Sequence, residues 1–200
     1  ALIGVPVAFA LGVSQHAFAE LLLGTAAAVI ATAFSRPRQV PWIGFGTLYI
    51  GIGCLAFLWL RSVPAEGREL VFWMLAVVWA TDIGAYFTGR GIGGPKLAPR
   101  VSPNKTWAGL LGGMAAAGLV GVAASHWLTS SLALLVGGGM ILAIVAQGGD
   151  LLESWCKRRF GVKDSSHIIP GHGGILDRVD GLLAVFPVSF LYFWAVGASN

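Results

Sequence analysis

Four carboxylates stand at helical spacing in the stretch from Asp150 to Asp180. Asp150, Glu153 and Ser154 are at i, i+3 and i+4, so they share one helix face, and Asp177 and Asp180 repeat the i, i+3 step at the head of a later apolar run. Between them lie Lys157, Arg158, Arg159, Lys163 and the turn Pro170-Gly171-His172-Gly173-Gly174, with Arg178 just beyond. Two helices that aim carboxylates at one point suit Mg²⁺, which takes one or two carboxylates and completes its shell with water and phosphate. The glycines of the turn let the backbone approach a ligand. Its N–H groups, with Lys163, Arg178 and His172, suit phosphate oxygens. The plainer alternative pairs these carboxylates with Lys157, Arg158 and Arg178 as interfacial salt bridges. Ionisable groups at a membrane edge are functional by default, so metal binding is the preferred reading. His172 stays divided between a phosphate contact and a structural hydrogen bond, whereas His167, His16 and His126 are read as structural.

A second polar stretch runs from Asp82 to Lys105. Asp82 lies inside an apolar run, where a carboxylate is costly. It is expected to face a cavity, near a metal or beside a basic residue, with a helix–helix hydrogen bond as the alternative. Gly89 to Lys96 reads Gly-Arg-Gly-Ile-Gly-Gly-Pro-Lys. It lacks the Gly-Lys-Ser/Thr ending and the preceding strand of a P-loop, and it is read as a flexible connector.

The rest of the chain must hold these groups at a boundary. Only 22 of the 200 residues are charged, 11% against about 25% in a typical soluble domain. Apolar types make up 56%, and the mean hydropathy is +0.78. So few charges could not cover a soluble surface, and disordered chains are charge-rich and apolar-poor. An integral membrane protein remains. The net charge of +4 is better explained by loops on one side of a membrane than by nucleic acid.

Seven runs approach the roughly 20 apolar residues of a spanning helix: Ala1–Phe18, Leu21–Phe34, Pro41–Leu60, Leu70–Thr88, Trp107–Trp127, Leu132–Gly149 and Gly181–Val196. The first two could form one hairpin, or a span with a re-entrant piece. None shows the alternation of a membrane barrel, so strands are not expected. Gly109-Leu110-Leu111-Gly112-Gly113 and Gly137-Gly138-Gly139 fit small-residue helix contacts. Cys54 and Cys156 stand in unlike settings and suggest neither a disulfide nor a metal site. The start at Ala1, without Met or a charged leader, suggests a truncated N-terminus. The fold class expected is an all-α polytopic helical bundle of about seven transmembrane helices.

With alternating connections, 11 of the 13 basic residues fall on the side holding both polar stretches, and only Arg61 and Arg68 on the other. The positive-inside rule makes the first side cytosolic. Ten charges lie between Asp150 and Asp180 and five between Asp82 and Lys105, on the same side, which permits one composite site.

The 27 positions from Ser154 to Asp180 resemble the signature of CDP-diacylglycerol synthase, or phosphatidate cytidylyltransferase. That signature runs Ser-x-x-Lys-Arg, Lys-Asp, then His-Gly-Gly-x-x-Asp-Arg-x-Asp. Here it is met by Ser154, Lys157-Arg158, Lys163-Asp164, His172-Gly173-Gly174 and Asp177-Arg178-Val179-Asp180. Upstream, Asp82-Ile-Gly-Ala-Tyr86 is similar to the family's Asp-x-x-Ala-Tyr helix, and Ser102-Pro-Asn-Lys-Thr106 to its Ser-Pro-x-Lys-Thr loop. Many members carry Glu two residues after that Thr, where this chain has Ala108. The resemblance sits in 71–200, a catalytic core; residues 1–70 match only in being apolar helices, and the whole of 1–200 reads as one transmembrane catalytic domain.

The resemblance implies that CTP and phosphatidate give CDP-diacylglycerol and pyrophosphate in phospholipid biosynthesis. The anionic lipid phosphate would attack the CTP α-phosphorus in line. Asp150 and Asp177 would hold Mg²⁺, with Asp180 and Glu153 as ligands or supports and a second cation allowed. Lys157, Arg158, Lys163, Arg178, His172 and Lys105 would hold phosphates. Ser102, Asn104, Ser154, Gly173, Gly174 and Asp82 would line the substrate site. A homodimer in the cytoplasmic membrane with its site on the cytosolic face is expected, with no nucleic-acid partner. Two rivals are weaker. A CDP-alcohol phosphotransferase needs Asp-Gly-x-x-Ala-Arg and a later Asp, but Asp180-Gly-Leu-Leu-Ala-Val185 has Val for Arg and no Asp after it. An ion transporter would place polar groups near the midplane of several spans, and only Asp82 lies well inside one.

Overall fold

The computed structural model describes residues 40–62, 66–162 and 176–197, with residues 165 and 174 and isolated positions between 23 and 34. Apart from those positions, the spans expected over 1–18 and 21–34 lie outside the described residues. The other five expected spans are helices: α1 (Val40–Ser62), α2 (Gly67–Gly91), α3 (Trp107–Ala124), α4 (Leu132–Arg159) and α5 (Leu176–Gly197). Each is long and apolar enough to cross a membrane, and the chain is a multi-pass membrane protein. In hydrocarbon every backbone N–H must be satisfied within its own segment, and that makes these runs helical.

The five helices close into a ring in chain order, α5 packing back on α1, while α2 also touches α4 and α5. Leu60, Met74, Val77, Leu135 and Val185 are fully buried at its centre. Small residues set the spacing of α2 and α3. A Cβ added at Gly84 would stand 2.7 Å from the Ala116 Cβ and 2.8 Å from the Gly112 carbonyl oxygen. Gly109 and Gly113 likewise sit against α2 backbone, as expected of that motif. The second motif divides. A Cβ at Gly139 would stand 3.0 Å from the Ala117 carbonyl oxygen, but one at Gly137 would meet nothing and one at Gly138 only the Trp73 ring, at 3.6 Å.

Two features depart from expectation. α4 has 28 residues, about 42 Å at 1.5 Å per residue, against a hydrocarbon core of about 30 Å. Its apolar run ends at Asp150 and its last turns carry charge beyond it. The connection between α2 and α3 is also not a plain flexible loop. Strands β1 (Lys96–Ala98) and β2 (Ser102–Thr106) pair antiparallel, with Lys96 opposite Thr106 and Ala98 opposite Ser102. Segments this short, one of them containing Pro103, show no alternation to detect. At the other end of the bundle the Glu66 carboxylate accepts from the Thr129 N–H at 3.1 Å, tying the α1–α2 and α3–α4 connections together.

Candidate active site

The hairpin carries Lys105 to α4. Gly93 and Gly94, at φ +68° and +90°, turn the chain as it leaves α2. The Pro95 carbonyl accepts from the Trp107 N–H at 3.1 Å, closing the hairpin where α3 begins. The Thr106 hydroxyl caps α3 by accepting from the Gly109 N–H at 3.0 Å. The adjacent Lys105 ammonium is thereby placed 2.6 Å from Asp150 Oδ2, and it donates to the Gln147 carbonyl at 3.2 Å. Ser154 donates to Asp150 Oδ1 at 3.2 Å. Gln147, buried one turn before Asp150, places its Nε2 3.5 Å from Asp82 Oδ1. Asp82, Ser102, Asn104, Lys105, Gln147 and Asp150 line one pocket of about 310 Å³.

Two turns further along α4, Lys157 donates to Asp177 Oδ1 on α5 at 2.7 Å and to Glu153 Oε2 at 3.3 Å. The other oxygen of Asp177 accepts from the Gly174 N–H at 2.7 Å and from the Ser165 N–H and hydroxyl, each at 3.0 Å. Glu153 is buried, and its Oε1 has no hydrogen-bond partner among the described residues. Glu153 and Asp180 line a second pocket of about 180 Å³, walled by Trp42, Phe45, Tyr49 and Cys156. Tyr49 Oη is also unpartnered among the described residues.

Backbone contact brings the two halves together. A Cβ on Gly149 would come within 2.7 Å of the Ala184 Cβ and 2.8 Å of the Asp180 carbonyl oxygen, so α4 and α5 touch beside Asp150 and Asp180. Asp82, Asp150 and Asp180 feel one another's charge, and Lys105 offsets it. Like charges so arranged favour a nearby cation.

The structure brings the two polar stretches together through Lys105, Gln147 and Asp82. Asp82, Ser102, Asn104, Lys105 and Asp150 share the first pocket, and Ser154 supports Asp150. Glu153, Lys157, Asp177 and Gly174 form the second group, with Asp180 beside them. Arg158 and Arg178 are exposed on their helices. Lys163, His172 and Gly173 lie outside the described residues. Asp82 lines a pocket and contacts α4 through Gln147, the helix–helix contact given as its alternative. Gln147, Ser165 and Tyr49 were not singled out from sequence. The signal for Gln147 was available: it is the polar side chain in the otherwise apolar run Leu132–Gly149, three residues before Asp150.

The donor set is hard carboxylate oxygen, and Glu153 carries an orphaned one, so the chemistry fits Mg²⁺. The positions are less gathered: among the described residues no three His, Cys or carboxylate side chains form a group able to hold one ion.

The sequence model of the cytidylyltransferase family matches residues 1–196. A phosphatidate cytidylyltransferase of Brucella suis biovar 1 (strain 1330) is 46% identical over 177 residues, covering 86% of this chain and 63% of the relative. That of Bacillus subtilis (strain 168) is 42% identical over 180 residues, 88% of this chain and 65% of its own length. The protein of that name from Pseudomonas aeruginosa is 39% identical over 195 residues, 92% and 72% of the two chains. The chain thus spans just under two thirds of the Brucella and Bacillus relatives.

Proposed function

Since the chain belongs to the cytidylyltransferase family, we propose that it transfers the cytidylyl group of CTP to phosphatidate, giving CDP-diacylglycerol and pyrophosphate. One observation carries this reading: the charged end of α4 separates a polar pocket from an aromatic, mostly apolar one. The polar pocket, with Ser102, Asn104 and Lys105, suits a nucleotide triphosphate. The aromatic pocket opens along α1 and suits the glycerol end of a lipid whose phosphate reaches α4.

The lipid phosphate is anionic near neutral pH and needs no protein nucleophile. One of its oxygens bonds to the α-phosphorus as the bond to the β-phosphate bridge breaks, and pyrophosphate leaves with that electron pair. The difficulty is bringing two polyanions together, so the protein's part is positioning and charge neutralisation. Lys105 and Lys157, at the same end of α4, would hold phosphate oxygens. Arg158, Lys163, His172 and Arg178 belong to the same reading, as do Ser154, Gly173 and Gly174 in lining the site. Mg²⁺ would be held by Asp150 with Glu153 and Asp180, Asp177 joining them only by releasing Ser165 or Gly174, and would supply charge for the transferred cytidylyl group. The cytosolic face is favoured by the basic residues at this end.

The test supplies purified protein in detergent with phosphatidate, labelled CTP and Mg²⁺. A lipid-extractable CMP product is expected, and its absence overturns the reading.

A further inference from the structure

The polar pocket proposed for CTP has two ends of unlike character. At one end the Lys105 ammonium stands 2.6 Å from Asp150. At the other, Asp82 and Tyr86 enter from α2, four residues apart and so on one helix face. Gln147 joins the ends. Its Nε2 stands 3.5 Å from Asp82 Oδ1, and it lies three residues before Asp150, about 4.5 Å along α4.

Charge decides which part of a nucleotide goes where. Lys105, the cation among the lining residues, pairs with Asp150 and not with Asp82. A carboxylate without a paired cation repels phosphate, so the Asp82 end takes the uncharged part of the substrate. Both side chains there can be reached: Asp82 is exposed at the pocket wall, and Tyr86 is 57% exposed. Gln147 engages Oδ1 alone, and no described residue donates to Asp82 Oδ2. The Tyr86 ring is held from its far end, because Arg90 Nη1 donates to its hydroxyl at 2.9 Å. A free acceptor next to a fixed flat ring suits an aromatic base that carries an amino group. Cytosine presents its N4 amino group as a donor. Uracil presents an acceptor, O4, at the same place, and an ionised carboxylate can only accept.

We propose that Asp82 selects cytosine over uracil, its Oδ2 accepting from the N4 amino group while the Tyr86 ring stacks on the base. The assignment rests on the CTP reading above. The base atoms N3 and O2 are acceptors, and Asn104 and Ser102 line the pocket with neutral donors for them. The triphosphate then runs toward Lys105 and the charged end of α4.

The test measures equilibrium binding of labelled CTP and UTP, with Mg²⁺, to the full chain in detergent, beside the turnover assay. The unaltered chain is expected to bind CTP at least about tenfold more tightly than UTP, the worth of one well-made base contact. Asp82→Asn presents a donor as well as an acceptor, and should narrow that ratio to about threefold or less. Tyr86→Ala should weaken both nucleotides alike, by roughly tenfold. If Asp82→Asn does not fold, N4,N4-dimethyl-CTP replaces it as the probe: it offers no amino donor, and the unaltered chain should bind it as weakly as UTP. An unchanged CTP/UTP ratio in Asp82→Asn overturns the proposal, as does dimethyl-CTP binding as tightly as CTP. An equal loss of CTP and UTP that spares 2′-deoxy-CTP places Asp82 on the ribose, and a shifted Mg²⁺ dependence at constant ratio places it on the metal; either overturns it too, as does binding of neither nucleotide. Selective CTP binding without a lipid-extractable product fails the proposed reaction and leaves the base assignment standing. Product formed equally well from CTP and UTP fails the base assignment alone.

Discussion

α4 carries two lysine–carboxylate pairs of nearly equal length, and they differ in everything else. Lys105 meets Asp150 at 2.6 Å, and Lys157 meets Asp177 at 2.7 Å. Asp150 keeps 35% of its side chain exposed, at the wall of a polar pocket, with one hydroxyl as its further partner. Asp177 is 15% exposed, and its second oxygen is taken by the Ser165 and Gly174 donors. A short ion pair therefore does not by itself mark a ligand. What separates the two is spare acceptor capacity: Asp150 has some to offer a substrate or cation, whereas Asp177 spends its own on holding 165 and 174 against the start of α5.

The sharpest way to break this comparison is to neutralise each carboxylate in turn. Asp150→Asn should lower turnover of labelled CTP by about 10²–10³-fold, the usual cost of one preorganised electrostatic group, and leave the thermal unfolding midpoint in detergent close to that of the unaltered chain. Asp177→Asn should lower both. Its loss weakens one charged and several neutral hydrogen bonds, about 1–3 kcal/mol of stability. Equal destabilisation by the two variants would erase the distinction. An Asp177→Asn protein as stable as the unaltered one would return Asp177 to the free ligands.

Lys105 offers a smaller test of the same pair. Lys105→Ala removes a cation from the polar pocket and should raise KM for CTP more than it lowers kcat, by roughly tenfold if one charge-assisted contact is lost. Lys105→Arg should recover part of it. A change in KM for phosphatidate alone would move Lys105 to the lipid side.

Much of this was legible in the chain. The five described spans follow from uninterrupted apolar runs, and the face shared by Asp150, Glu153 and Ser154 follows from spacing alone, because a helix repeats locally. What was not legible depends on tertiary placement. Lys105 reaches Asp150 through a hairpin whose strands are too short to show a period. Asp177 is read from sequence as a metal ligand, and its hold on residues 165 and 174 has no separate signal, since a carboxylate that pins a loop and one that binds an ion are the same residue type at the same helix start. Glycines mislead in the same way. Gly112 and Gly137 stand in similar small-residue runs, yet one is pressed against Thr88 and the other faces open space.

That contrast among glycines gives the smallest and most local test of how the two pairs are kept together. Gly148 and Gly149 are neighbours on α4, but a Cβ at Gly148 would meet nothing within 4 Å, whereas one at Gly149 would strike the Asp180 backbone at 2.8 Å. Backbone cannot swing aside as a side-chain tip can, so Gly149→Ala must push α5 away from α4 beside Asp150. Gly148→Ala should leave activity unchanged and add slightly to helix stability, by up to about 1 kcal/mol. Gly149→Ala should cost about 1–3 kcal/mol as overpacking, with a several-fold loss of turnover in the protein that remains folded. If both variants behave alike, the close approach of α4 and α5 does not set the spacing between the Lys105–Asp150 pocket and the Lys157–Asp177 clamp, and the two halves act independently.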